Sequence, residues 1–75
     1  MSLTIEYLRS CVDHYSSMKA YSCDTLKSLV DEDDYYNIVE DLLEYEDIII
    51  SEDLLKDNED KSLSDIADII DELGE

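Results

Sequence analysis

The chain has 75 residues, with 22 Asp or Glu against five Lys or Arg, so its formal net charge is −17 at pH 7. That sign argues against direct binding of DNA, RNA or anionic lipid, and the longest apolar run, Ile48-Ile49-Ile50, is far short of the about 20 residues that span a bilayer. Absence of proline and a single glycine remove most turn and hairpin signals and favour helix.

The first periodic segment is 3–20. Thr4, Leu8, Cys11, Val12, Tyr15 and Met18 recur at helical spacing as one stripe. Ser2 is the expected N-cap, and Glu6 lies near the positive end of the helix dipole. Arg9, Asp13, Ser16 and Ser17 face away from the stripe. Tyr21-Ser22-Cys23 reads as a break, after which Asp24 is expected to cap a short helix carrying Leu26, Leu29 and Val30. The acidic run Asp31-Glu32-Asp33-Asp34 suits a helix N-terminus and is unfavourable at a C-terminus. A helix start is therefore expected at Asp33 or Asp34. The helix 35–46 follows, with Ile38, Val39, Leu42 and Leu43 on one face and Glu40, Asp41, Glu44 and Asp47 on the other.

Ile48-Ile49-Ile50 is three β-branched residues, which lowers helix propensity and leaves open an extended crossing that plugs the core. Ser51-Glu52-Asp53 reads as a cap and acidic first turn for a short helix through Lys56. Residues 57–61 form a polar loop. The last helix begins near Ser62 or Ser64, with Leu63, Ile66, Ile69, Ile70 and Leu73 as its apolar stripe. Asp65, Asp68, Glu72 and Glu75 form a matching acidic stripe, and Gly74 is a helix stop. The expected fold is all-α: a small bundle of four to five short helices around one core, over residues 1–75 as one domain.

The charge is unevenly placed. Residues 1–30 hold three acids and three bases, net zero, and residues 31–75 hold 19 acids and two bases, net −17. Like charges this dense destabilise a compact state, so a use for them is expected. Carboxylates three and four apart are neighbours on a helix, about 5–6 Å between Cβ atoms. A pair of packed acidic helices would approach the charge spacing of a nucleic-acid strand, about 3.4 Å of axis per charge. The expected partner-binding residues are Asp33, Asp34, Glu40, Asp41, Glu44, Asp47, Asp65, Asp68 and Glu72.

Other chemistry has little support. One histidine, no phosphate-binding loop and no nucleophile paired with a base argue against an enzyme. Cys11 and Cys23 are either two reduced thiols, at least one of them in the core, or a single pair. With His14 and Asp24 they lack the short ligand spacing of a zinc site, and the acidic runs lack the central glycine of a calcium loop. No metal or cofactor is expected. The start of the chain has no charged-then-apolar signal, so an intracellular location is expected, including that of a host cell.

In size, charge and helical acidity, residues 31–75 resemble the DNA-mimic inhibitors of phages and other mobile elements, a group defined by no shared motif or fold. The resemblance implies a non-enzymatic viral or phage protein that blocks the nucleic-acid-binding surface of a basic partner, with homodimerisation left open. A second resemblance is local. Residues 58–73, with Ile66-x-x-Ile69-Ile70, are similar to acidic transactivation segments such as that of the RelA subunit of NF-kappaB and its poxviral imitator. They lack the family's Phe or Trp anchor. That resemblance implies an activation-type or adaptor module that docks Ile66, Ile69, Ile70 and Leu73 in a partner groove.

Overall fold

The computed structural model describes residues 3–16 and 18–73. Five helices follow in chain order: α1 (Thr4–Tyr15), α2 (Leu26–Leu29), α3 (Tyr35–Glu46), α4 (Glu52–Asp57) and α5 (Leu63–Leu73), with a 3₁₀ turn at Glu32–Asp34 leading into α3. Among the described residues no strand forms. The one β-type pairing is an isolated antiparallel bridge, Thr25 with Ser62. The fold is therefore all-α, as the periodicity implies.

α1 packs against both α5 and α3, and α3 against α4. The core is one cluster of 15 apolar residues, including Leu8 and Val12 from α1, Ile38 and Leu42 from α3, and Leu63, Ile66 and Ile70 from α5. No polar or charged residue is buried among the described residues. Burying a charge without a partner is costly, and the acids avoid that cost by occupying helix faces that point outward.

Several local structures follow from single side chains. The Ser51 hydroxyl accepts the Leu54 N–H and starts α4. Ser62 accepts from the Asp65 N–H at the start of α5. The isoleucine run lies outside any helix, with Ile50 buried, Ile48 partly buried and Ile49 81% exposed. That in–out–in alternation is the period of an extended chain, and it seats two of the three isoleucines on the core.

Four expectations require correction. α1 ends at Tyr15, not near residue 20. The chain beyond it is drawn back by Arg9 and Asp13: Arg9 Nε donates to the Ala20 carbonyl at 3.2 Å, and the Asp13 carboxylate accepts the Ala20 N–H. Ala20 is fully buried as a result, and Met18 is 57% exposed, outside the stripe. The cap of α2 is Thr25, whose hydroxyl accepts the Ser28 N–H. Asp24 instead accepts the Tyr21 N–H with its carboxylate and the Leu63 N–H with its carbonyl. Leu43 and Leu73, expected on apolar faces, are exposed. Ser2, Ser17, Gly74 and Glu75, for which caps, faces and a helix stop are expected, lie outside the described residues.

Tertiary hydrogen bonds tie the elements together. Thr4 Oγ1 donates to the Asp71 carboxylate, joining α1 to α5. Tyr35, which is buried, donates its hydroxyl to Glu59 at 3.0 Å, joining α3 to the turn before α5. No helix among the described residues is long and apolar enough to cross a membrane.

Candidate functional site

The acidic run before α3 lies where the helix dipole favours it. Asp31 precedes the 3₁₀ turn and Asp34 ends it, and Asp34 occupies the N-cap position of α3 without a side-chain cap bond. Asp33 is exposed and Asp34 half-buried. On α3, Glu40 and Glu44 are exposed, one turn apart. Asp47 is exposed just past the helix end, in the left-handed conformation at φ 55°, where its N–H donates to the Leu43 carbonyl and the Ile48 N–H to the Leu42 carbonyl. Aspartate tolerates this conformation better than most non-glycine residues, so Asp47 closes the helix as well as adding charge. On α5, Asp65, Asp68 and Glu72 are all exposed, at spacings of three and four.

Asp41 differs from the other expected residues. It is half-buried, and its Oδ2 accepts the Tyr15 hydroxyl at 2.5 Å. Its place is the junction of α1 and α3, away from the outer ridge.

The two ridges are also arranged differently from the expected packed pair. The extensive helix contacts are those of α1 with α5 and of α1 with α3. The acidic helices are therefore joined through α1, which carries little net charge.

Few cations balance this surface. Among the described residues the ion pairs are Lys56 with Glu32 at 3.1 Å, Lys56 with Glu52 at 3.8 Å, and Lys27 with Asp60 at 4.0 Å. All of them lie in solvent, where such pairs contribute about 0–1 kcal/mol. None involves Glu40, Glu44, Asp47, Asp65, Asp68 or Glu72. Glu40 does accept a hydrogen bond from Tyr36, which raises the Tyr36 pKa.

A second feature was not legible as a site from the sequence. A cleft of about 540 Å³ opens between α1 and α3. Tyr7, Cys11 and Tyr15 line it from one helix, and Asp41, Tyr45 and Glu46 from the other. The signal in the sequence is the spacing itself: Tyr7, Cys11 and Tyr15 lie four apart on one helix, as do Asp41 and Tyr45 on the other. Cys11 and Tyr15 read instead as core.

The cleft is strongly anionic in character. Burial pushes the Cys11 thiol up from 9.0 to about 11, and the charges of Asp41 and Glu46 add to the shift. The hydrogen bond to Asp41 raises Tyr15 from 10.0 to about 12, with burial second. His14 packs edge-on to Tyr15, with ring centroids 4.9 Å apart at 89°. Cys11 and Cys23 are both free thiols. Among the described residues no three His, Cys, Asp or Glu side chains converge as metal ligands. Compared with protein-family models, curated proteins and solved structures, the chain matches none.

Proposed function

We propose that this protein is a non-enzymatic acidic binding protein that occupies a basic, nucleic-acid-binding surface of a partner protein and inhibits it. The carrying observation is the exposed set Glu40, Glu44, Asp47, Asp65, Asp68 and Glu72, which takes part in none of the ion pairs among the described residues. An anionic surface without internal counterions is complementary to a basic one, and complementarity of this kind governs encounter rate and partner choice. A viral or phage counter-defence protein acting inside a cell is the concrete form of this reading.

The groove-docking alternative has less support. It needs the apolar face of α5, yet Ile66 and Ile70 are buried in the protein's own core, Ile69 is partly buried, and only Leu73 is well exposed.

The test is affinity capture with the intact protein at low and high salt, followed by challenge with DNA or RNA. Captured partners should be basic nucleic-acid-binding proteins, released as salt rises and displaced by the nucleic acid. Partners held equally at both salt concentrations, or able to hold nucleic acid and this protein together, would overturn the proposal.

A further inference from the structure

The cleft between α1 and α3 combines two chemistries. Tyr7, Tyr15 and Tyr45 supply aromatic surface, and Asp41 and Glu46 supply carboxylates. Its volume of about 540 Å³ falls within the range of small-ligand sites, roughly 300–1,000 Å³. Neither Lys nor Arg is among its lining residues, which include His14, so a phosphate or carboxylate ligand would meet Asp41 and Glu46 with no lysine or arginine to hold it.

Asp41 is already oriented. Tyr15 fixes its Oδ2, and an ionised carboxylate has lone pairs for further donors. Tyr15 is itself braced by His14. Tyr45 lines the cleft and is 71% exposed, with a ring available for stacking. A planar guanidinium suits this arrangement better than an ammonium. It stacks on a tyrosine ring and donates in a fixed fork to a carboxylate, whereas an ammonium is a compact, strongly hydrated point charge.

We propose that this cleft binds a guanidinium group, and that its occupant is one arginine side chain presented by the basic partner. The identity of the occupant's source rests on the proposed function; the guanidinium chemistry rests on the cleft. Burial is the larger cause of the Cys11 shift, and the Asp41 and Glu46 charges that add to it are the ones that favour a bound cation. Arginine in the cleft would give the complex a fixed register, which a diffuse acidic surface lacks.

The test uses the intact protein and a small probe, Nα-acetyl-arginine amide, with the ring signals of Tyr7, Tyr15 and Tyr45 followed by NMR. The expected result is a saturable shift confined to the cleft, with no response to the uncharged citrulline analogue and a weaker one to the lysine analogue. Tyr45→Ala and Glu46→Gln should each weaken probe binding by about fivefold, with the circular dichroism spectrum unchanged. Tyr45 is exposed enough that its removal leaves the core intact. An equal response to arginine, lysine and citrulline amides, or wild-type affinity in both variants, would overturn the proposal. No partner enters this measurement. Its failure leaves the charge-led function standing, and loss of salt-sensitive partner binding would remove that function without altering the probe result.

Discussion

Residues 1–30 are net neutral and residues 31–75 carry −17, yet the two regions supply the core in equal proportion. Among the described residues, six of the 15 buried apolar residues come from the first region and nine from the second, about one residue in five of each. The acidic region has not given up apolar positions to gain charge. It carries both on the same helices: Ile38 and Leu42 face inward on α3 while Glu40 and Glu44 face outward, and Ile66 and Ile70 face inward on α5 while Asp65, Asp68 and Glu72 face outward. Folding and surface charge are therefore separable by mutation.

The largest expected effects test the equality of the two cores. Leu8→Ala in the neutral region and Leu42→Ala in the acidic region remove fully buried side chains, and each should cost about 2–5 kcal/mol. Chemical denaturation measures both. A loss from Leu42→Ala well under half of that from Leu8→Ala would mean that the acidic region is only loosely packed.

High pH comes next, because two neutral groups of the first region, Cys11 and Tyr15, face carboxylates of the second, and a third, Tyr35, is bonded within the second. Folding raises the pKa of Cys11, through burial and then Asp41 and Glu46, and of Tyr15, through its bond to Asp41. It also raises that of Tyr35, through burial and then the bond to Glu59. A folded pKa above the unfolded value means that the neutral form is the one the fold prefers. The stability these groups contribute is complete below their unfolded values, 9.0 for the thiol and 10.0 for the tyrosines, and is lost as pH rises through about 11 for Cys11 and about 12 for Tyr15. The melting temperature should fall steeply above pH 9.0, and less steeply in Tyr15→Phe. An unchanged melting temperature up to about 12 would contradict the assignment.

The smallest effects concern the caps. Thr25→Ala and Ser51→Ala each remove a hydroxyl that accepts a helix N–H, one in each region. Each should cost about 1 kcal/mol, measurable as a shift in denaturation midpoint. Asp24→Ala should also destabilise, although Asp24 does not cap α2, because its carboxylate holds the Tyr21 N–H.

Helix 35–46 was legible to within one or two residues at its start, expected at Asp33 or Asp34, because its apolar period and the acidic run before it agree. Ser51 as a cap, and the isoleucine run as a break in helix, were legible for similar local reasons. The end of α1 was not. It is set by contacts of Arg9 and Asp13 with Ala20, 11 and seven residues away, which no local pattern encodes. Asp24 and Thr25 are both good caps, and the choice between them follows the docking of this segment beside α5 through the Leu63 N–H. Leu43 and Leu73 were misread because the apolar stripes are wider than the surface a 75-residue core can cover. Among the candidate site residues, the outward carboxylates were legible as helix ridges. The cleft was not, because Tyr15 reads as an ordinary stripe residue and no pattern singles out Tyr7 or Tyr45 until α1 and α3 are set against each other.

The central claim is that the acidic faces carry the function without supporting the fold. The most direct measurement is partner affinity across a salt series, with melting temperature recorded in parallel, for two triple variants: Glu40→Gln with Glu44→Gln and Asp47→Asn, and Asp65→Asn with Asp68→Asn and Glu72→Gln. The account predicts that at least one triple binds about tenfold more weakly at low salt and shows a flatter salt dependence, while its melting temperature stays level or rises as repulsion is relieved. Wild-type affinity and salt dependence in both triples would contradict it.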